Sequence, residues 1–227
     1  MMSDGNASEV LAQAPDRLIL GSRSDRRREL LSLLVAAELI EILPPRWPEE
    51  LGFAGLTAWS DIARRLQLIA RNKNEDVCRQ LPAESSRTTL VLTADTTIVA
   101  TDAMARLHVL GQPPEDDSWP DVVRRWFREL YAGRSHMAAT AVCLSEPSSG
   151  RRLERIVESH VLVREDVEPL LDWYLATGEP LGKAGGYALQ GLASVFVTRV
   201  EGSLTNVVGL PLEALVEMLP QLGWTWT

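Results

Sequence analysis

Two long β-rich stretches follow each other directly in the chain, and they constrain its fold more than any other feature. Residues 137–144 and 156–163 consist mostly of apolar and β-branched side chains, which favour strands. The segment between them contains Pro147 and Gly150 and reads as a turn. Two consecutive long strands without a helix between them predict a mixed sheet rather than an all-parallel one.

The rest of the chain alternates between strands and helices. Ile62, Leu66 and Ile69 recur with helical spacing, which predicts an amphipathic helix from residue 59 to about residue 81. Further strands are predicted at 17–20, 39–43, 88–92, 97–100, 107–110 and 194–200, and further helices after Ser24 and at 119–130, 167–176 and 211–219. We therefore expect an α/β fold, with a mixed, twisted β-sheet flanked by helices.

The composition suits one globular domain that binds neither nucleic acid nor membrane. The 227 residues are 45% apolar and carry a net charge of −8, so the surface as a whole repels polyanions. No apolar run reaches the roughly 20 residues that span a bilayer. Residues 1–16 are small and polar without a signal-peptide pattern, and they are predicted to be a flexible tail before a single domain at 17–227. We expect a cytoplasmic location.

The use of lysine is unusual in this chain. Of the 23 basic residues, 21 are arginines, and the two lysines are Lys73 and Lys183. A lysine is a compact charge on a flexible stem, whereas arginine presents a planar fork. Chance explains two lysines as well as function does, so composition alone leaves both interpretations open.

The segment 21–28 (GSRSDRRR) joins a predicted strand to a predicted helix. Free amide groups and the helix dipole favour phosphate at such a junction, and Ser22, Arg26 and Arg27 add hydroxyl and guanidinium donors. The alternative is a capped helix with a solvated basic first turn. That alternative places several arginines against the dipole, which is unfavourable unless an anion lies nearby.

Asp95 follows the apolar run at 90–92. Ligands of open α/β sheets collect beyond the carboxyl ends of strands, where a carboxylate can hold a cation or accept a proton from water. The alternative is a turn aspartate that bonds its own backbone. For Lys73, inside the long helix, the alternative is a solvated helix face.

A glycine-rich segment at 183–190 (KAGGYALQ) combines several groups that suit a ligand. Gly185 and Gly186 permit close approach of the backbone, Lys183 supplies a charge, and Gln190 supplies an amide that can contact a base or a phosphate. A flexible loop without a ligand is the alternative.

Taken in order, these segments resemble the Maf-like nucleoside triphosphate pyrophosphatases over residues 17–219. The matching motifs are 20–31 (LGSRSDRRRELL), 70–73 (ARNK), 94–96 (ADT), 130–136 (LYAGRSH), 178–191 (GEPLGKAGGYALQG) and 206–212 (NVVGLPL). Each motif is short, but six in the correct order indicate the family. Both lysines fall within these motifs.

The resemblance implies two lobes around a deep cleft, and hydrolysis of a nucleoside triphosphate to the monophosphate and pyrophosphate. It also implies a divalent metal (Mg, Mn or Co) and a possible homodimer. Asp95 would be the general base and a metal ligand, and Ser22, Arg27, Lys73 and Lys183 would hold phosphates. Arg26, Thr96 and Gln190 match positions for substrate choice, in versions similar to the branch that acts on dTTP and UTP.

Four departures from the family pattern open alternatives. Asp25 stands where the family has Pro, Gln112 where it has Lys, and Gly182 where it has Asp. The acidic pair expected after the second strand is matched best by Glu49 and Glu50, which are the further predicted metal ligands. Weakened catalysis would suit a nucleotide-binding regulator of cell division, and a pyrophosphatase of the 7-methyl-GTP type is the third reading.

Overall fold

The computed structural model describes residues 15–46, 51–82 and 88–226. It contains one seven-stranded sheet in the order β2-β1-β3-β5-β6-β7, with β4 paired to β3 beside this path. The strands are β1 (Arg17–Leu20), β2 (Ile40–Ile42), β3 (Thr89–Thr101), β4 (Leu107–Leu110), β5 (Ser135–Glu146), β6 (Arg151–Val163) and β7 (Val197–Glu201). β1 pairs in parallel with β2 and β3, and all other pairs are antiparallel. The predicted mixed sheet is confirmed.

The centre of the sheet is formed by the three longest strands. β3 pairs with β5 from Val91 through Val99, and β5 pairs with β6 over its whole length. β5 and β6 are the two consecutive strands that the sequence predicts. β3 pairs in parallel with β1 but antiparallel with β4 and β5, so the sheet changes from parallel to antiparallel at β3.

Helices cover both faces of the sheet. They are α1 (Asp25–Leu31), α2 (Trp59–Gln80), α3 (Trp119–Trp126), α4 (Glu168–Ala176), α5 (Leu204–Val208) and α6 (Leu212–Met218). On one face, Leu66 and Ala70 of α2 pack against Ala139 and Ala141 of β5. On the other face, α1 and α6 share a core with alternate residues of β1 and β3, including Leu18 and Leu92. The alternation of strand side chains thus builds two cores.

A third core lies at the far end of β3 and β5. Phe127, Tyr131, Tyr174 and Phe196 form a cluster of edge-to-face and tilted aromatic rings there. Phe127 and Tyr131 belong to the π-helical turn Phe127–Tyr131 that follows α3, Tyr174 belongs to α4, and Phe196 ends the 3₁₀ turn Leu192–Phe196. Aromatic pairs at these ring separations stabilise a core beyond their buried area.

Three local differences separate the prediction from the structure. Residues 88–92 and 97–100 are one continuous strand, β3, so Asp95 lies within a strand and not in a turn. The strand predicted at 194–200 begins at Val197, after a 3₁₀ turn. The α-helix predicted at 119–130 ends at Trp126, and the chain continues from there as the π-helical turn. Within the described ranges, no helix is both long enough and apolar enough to cross a bilayer.

β3 is the strand that places the site. Its first part pairs with β1 as far as Leu92, and its last part pairs with β4 from Ile98 onward. Between these two pairings no described strand lies beside residues 93–97 on that side. We call this stretch the open edge of β3.

Candidate active site

A cavity of about 890 Å³ lies against the open edge. Its walls come from segments far apart in the chain: the start of α1, the loop before α2, α2 itself, β3, the end of β4, residues 182–187 and α5. The residues that line it are Arg23, Ser24, Asp25, Arg26, Arg27, Phe53, Lys73, Asp95, Thr96, Thr97, Ile98, Gly111, Gln112, Gly182, Lys183, Ala184, Tyr187, Val207, Val208 and Gly209. The volume is typical of small-ligand sites.

Arg26 and Lys183 place two positive charges in this cavity. Burial lowers the pKa of the Arg26 guanidinium, and no hydrogen bond or ion pair joins it to the described part of the chain. Burial also lowers the pKa of Lys183, and the neighbouring charge of Arg26 lowers it further. Lys183 Nζ donates to the carbonyl oxygens of Glu179 at 2.5 Å and Leu181 at 3.4 Å. Two like charges held close together in a partly buried cavity favour an anionic ligand.

Lys73 and Asp95 form an ion pair in the wall of the cavity. Lys73 Nζ lies 2.6 Å from Asp95 Oδ1, and their side chains are 17% and 10% exposed. Ala70, one turn before Lys73, accepts a hydrogen bond of 2.7 Å from Thr93 Oγ1 through its carbonyl oxygen. This bond fixes α2 on β3, so the lysine of the helix and the carboxylate of the strand meet.

Arg27 lines the cavity, but its guanidinium is bonded to protein groups. Nε donates to the carbonyl oxygen of Gly209 at 2.9 Å, and Nη2 donates to Thr96 Oγ1 at 3.1 Å. Nη1 donates to Ser22 Oγ at 3.4 Å, and Ser22 itself is buried beneath the cavity lining. Ser24 caps α1, as predicted, by accepting from the Arg27 amide. Arg27 and Ser22 therefore fix the start of α1 against β3 and α5.

The segment 178–191, which we call the glycine loop, is held by hydroxyl groups of the aromatic core. Tyr131 Oη donates to the carbonyl oxygen of Gly185 at 2.9 Å, and Tyr174 Oη donates to that of Gly186 at 3.0 Å. His136 Nε2 lies 2.7 Å from Tyr187 Oη. Burial lowers the pKa of His136 to about 3, so the ring is neutral and bonds the tyrosine as an uncharged group.

The glycine loop is also tied to the end of β4. The Gly185 amide donates to the carbonyl oxygen of Gly111 at 2.9 Å, next to Gln112 in the cavity wall. Gly185 has a φ of +71°, a backbone conformation that glycine adopts without strain. The loop thus presents Lys183 and Tyr187 to the cavity from a fixed backbone.

The remaining candidate residues are distributed unevenly. Gln190 is exposed in a turn and is not among the residues that line the cavity. Glu49 and Glu50 lie outside the described residues. Asp25 and Gln112 both line the cavity, but Asp25 pairs with Arg28 at 3.2 Å rather than with Arg26. Gly182 contributes a backbone at φ +69° to the rim.

The described residues contain no cluster of three or more His, Cys, Asp or Glu side chains that could hold a metal ion. Asp95 is the carboxylate of the cavity wall that lies within a strand, beside Lys73. A Mg²⁺ ion in a phosphate site usually needs only one or two carboxylates, because phosphate oxygens and water complete its shell. Asp95 together with a bound triphosphate fits that requirement.

Several cavity residues were not candidates in the sequence analysis. Phe53 comes from the loop before α2, and Val207, Val208 and Gly209 come from α5 and its end, to which we assigned no ligand contact from the sequence. Asn206, beside them, is fully buried and donates to the carbonyl oxygen of Ala138 at 3.0 Å. The segment 206–212 is one of the family motifs, so its place in the motif order could have indicated a role in the site. The spacing of its own residues gives no such indication.

Comparisons with known proteins find matches over most of this chain. A family profile described as "Maf-like protein" matches residues 17–222. A protein named dTTP/UTP pyrophosphatase from Syntrophus aciditrophicus is 35% identical over 92% of this chain and 91% of its own length. A protein of the same name from Anaeromyxobacter dehalogenans (strain 2CP-1) is 38% identical over 92% of this chain and 95% of its own length.

A further protein of the same name, from Pyrococcus horikoshii, is 34% identical over 91% of this chain and 97% of its own length. A solved nucleoside-triphosphatase / dITP/XTP pyrophosphatase from Mycobacterium abscessus aligns weakly, with a TM-score of 0.41 and 16% identity over 91% of this chain and 96% of that chain. The matching profile spans every segment that lines the cavity. This chain belongs to the Maf-like protein family.

Proposed function

We infer that this protein hydrolyses nucleoside triphosphates to nucleoside monophosphates and pyrophosphate. The observation that carries the inference is the convergence of Arg26, Lys73, Lys183 and Asp95 on one cavity. Three of these groups are cations, as a triphosphate requires, and the fourth is a carboxylate that can accept a proton. Relatives named dTTP/UTP pyrophosphatase share at least a third of this sequence over most of its length, which favours pyrimidine nucleotides as substrates.

The reaction needs a water molecule placed against the α-phosphorus. The water oxygen forms a bond to phosphorus, its proton passes to Asp95, and the bond from the α-phosphorus to the bridging oxygen breaks. Pyrophosphate leaves with that electron pair. Lys73 orients the carboxylate through the 2.6 Å contact, and Arg26 and Lys183 stabilise charge on the phosphate oxygens. Phosphoryl chemistry of this kind requires no protein nucleophile.

A divalent cation fits this arrangement. Asp95 would hold it together with phosphate oxygens of the substrate, and Glu49 and Glu50 stay predicted as further ligands. When bound, the cation would neutralise part of the charge that develops on the leaving pyrophosphate. The cytoplasmic location and the homodimer also stay predictions.

The function is tested by incubating the purified protein with Mg²⁺, Mn²⁺ or Co²⁺ and a panel of triphosphates, and measuring pyrophosphate release. We expect Asp95→Asn to lower kcat about 10²- to 10⁴-fold, the usual contribution of a general base. Asp172→Asn, an exposed carboxylate of α4 that pairs with Arg124 on the surface, is the matched control and should retain activity. Equal activity of the Asp95→Asn and wild-type proteins would exclude the assigned role.

The panel also separates the alternatives. Gln112 leaves one position of the cavity wall neutral, which is the observation in favour of a nucleotide-binding regulator without turnover. Tight binding of UTP without hydrolysis under any metal would support that regulator. Preferential hydrolysis of 7-methyl-GTP would assign the protein to the purine branch instead.

A further inference from the structure

Four consecutive residues of β3 line the cavity: Asp95, Thr96, Thr97 and Ile98. Side chains of neighbouring strand residues point to opposite faces of a sheet, so these four side chains cannot all point into one cavity on one face. What they share is the backbone edge of the strand. The cavity therefore lies against the open edge of β3 and reaches both faces from there.

The direction of the main-chain groups at this edge follows from the hydrogen bonds on either side. The Gly21 amide donates to the carbonyl oxygen of Leu92 at 2.8 Å, so the groups of Leu92 point toward β1. The N–H and C=O of one strand residue point to the same side, and this side alternates along the strand. The groups of Thr96 therefore point toward the open edge.

The far side of the strand gives the same result independently. The Val163 amide donates to the carbonyl oxygen of Arg134 at 3.1 Å. The main-chain groups of even-numbered residues of β5 therefore point toward β6, and those of odd-numbered residues point toward β3. Ala141, which faces β3, is the register partner of Asp95. The main-chain N–H and C=O of Asp95 therefore point toward β5, and those of Thr96 point toward the cavity.

The side chain of Thr96 is occupied. Its hydroxyl accepts from Arg27 Nη2 at 3.1 Å, lies 2.9 Å from Thr140 Oγ1, and lies 3.4 Å from the Gly209 carbonyl oxygen. Thr140 in turn donates to the carbonyl oxygen of Asn206 at 3.2 Å. These bonds fix the open edge in position, and they leave the main chain as the part of Thr96 that is available to a ligand.

The chemistry of this edge selects its ligand. A donor and an acceptor stand side by side, and the carbonyl oxygen would repel a phosphate oxygen placed against both. A neutral group with an adjacent acceptor and donor satisfies both partners. The imide edge of uracil or thymine, with its C4=O beside N3–H, is such a group. The cations of the cavity would then bind the phosphates of the same ligand.

We propose that the main-chain N–H and C=O of Thr96 bind the imide edge of the pyrimidine base, with C4=O accepting from the amide and N3–H donating to the carbonyl oxygen. The proposal rests on the proposed function, because it takes the cavity as a nucleoside triphosphate site. In it Thr96, Thr140 and Arg27 act as positioning residues: their side chains hold the strand edge, and the backbone contacts the base.

Kinetics with modified nucleotides test the contact from the side of the ligand. We expect 3-methyl-UTP, which lacks N3–H, to show a kcat/KM about 5- to 150-fold below that of UTP, the range for losing a bidentate base contact. The matched control is 5-methyl-UTP, which carries the same methyl group away from the imide edge and should stay within a few-fold of UTP. Equal rates for the two methylated nucleotides would overturn the proposal.

Nuclear magnetic resonance tests the contact from the side of the protein. In ¹⁵N-labelled protein, the Thr96 amide signal should shift on adding α,β-imido-UTP, which resists cleavage at the α-phosphate. The N3-methylated analogue and inorganic tripolyphosphate should not reproduce this shift. If tripolyphosphate alone moves the signal as far, the edge takes phosphate and the proposal is wrong. If no triphosphate is hydrolysed but the uridine analogue alone shifts the signal, the proposed function fails while the base contact stands.

The variant Thr96→Val separates the main chain from the side chain. Valine has the shape of threonine and keeps the backbone groups, but it loses the bonds to Arg27 and Thr140. We expect a lower overall rate with an unchanged ratio of kcat/KM between UTP and 3-methyl-UTP. A ratio that collapses toward one in a variant with a native-like spectrum would show that the hydroxyl reads the base, and would overturn the proposal.

Discussion

Replacing Gly185 by alanine tests whether the glycine loop is held as rigidly as its contacts indicate. A β-carbon at this position would lie 2.6 Å from Tyr131 Oη and 2.7 Å from Ile98 Cγ1, both closer than real β-carbons approach other atoms. The backbone φ is +71°, which disfavours any side chain. Tyr131 is buried in the aromatic core and Ile98 belongs to β3, so neither can move away freely.

The expected loss of stability has three parts. The left-handed backbone costs about 1–2 kcal/mol for alanine, and crowding in a packed core costs about 1–3 kcal/mol. Displacing Tyr131 Oη from the carbonyl oxygen of Gly185 weakens a buried hydrogen bond worth about 1 kcal/mol. Alanine recovers about 0.4–1 kcal/mol by restricting the unfolded chain. We expect a net loss of about 2–5 kcal/mol in the free energy of unfolding.

Gly178→Ala is the matched control. Gly178 belongs to the same loop and has a φ of +69°, but no atom lies within 4 Å of the position that a β-carbon would take there. The control therefore keeps the backbone cost and lacks the clash, so about 1 kcal/mol should be lost. Urea unfolding of both variants gives the difference. We also expect kcat/KM of Gly185→Ala to fall at least about 10-fold, because the shifted loop misplaces Lys183.

Similar stabilities of the two variants, within about 0.5 kcal/mol, would refute this reasoning. Such a result would mean that the loop relaxes around the new methyl group. The cavity would then owe its shape to the ligand rather than to the aromatic core.

Three further outcomes follow from the same site. Because the pKa of Lys183 is lowered, kcat/KM should fall with rising pH at a lower pH than the titration of an ordinary lysine. Lys183→Arg should remove this fall, and a pH profile of the variant equal to that of the wild-type protein would contradict the role of Lys183. His136 has a pKa of about 3 when folded against 6.5 ordinarily, so the unfolded chain takes up the proton first as pH falls. The free energy of unfolding should therefore decrease by up to about 1.4 kcal/mol per pH unit between these values, and less steeply in His136→Gln, as urea unfolding at several pH values would show. Gln112→Lys should raise kcat about 10-fold by adding a cation to the cavity wall; Gln112→Met is the neutral control, and an equal effect of both would exclude a role for the charge.

The sheet was predictable where local pattern and tertiary context agree. β5 and β6 carry continuous apolar and β-branched sequences, and α2 carries an apolar stripe with the helical period. The sequence does not predict β3 as one strand, because Ala94 and Asp95 in its middle have low strand propensity. The pairing of β3 with β5 from Val91 through Val99 overrides that preference.

The short turn at Leu192–Phe196 illustrates a different limit. Its first amides, those of Leu192 and Ala193, donate to the carboxylate of Glu179 at 2.8 and 3.2 Å. That carboxylate lies more than ten residues earlier and caps the turn through space. A strand predicted from the local apolar pattern could not include such a contact.

The candidate site was predictable as a set of motifs but not as a geometry. The motifs supplied Arg26, Lys73, Asp95 and Lys183, which all line the cavity. The sequence did not show that the guanidinium of Arg27 is bonded to Gly209, 182 residues later. Such long-range bonds decide whether a cation is available to a ligand or serves the fold, and they depend on the tertiary structure alone.

The arrangement of the cavity explains why an acidic chain keeps a cationic site at all. Arg26 and Lys183 repel each other across the cavity, and burial raises that cost because it removes water that would screen the charges. The fold offsets the repulsion elsewhere, through the hydroxyls of Tyr131 and Tyr174 on the glycine loop and through the bonds of Arg27 at the start of α1. An anion that binds between the two cations relieves the repulsion, so part of its binding energy is already stored in the folded chain. The same groups that make the ligand-free cavity unfavourable are therefore those that would make a triphosphate bind.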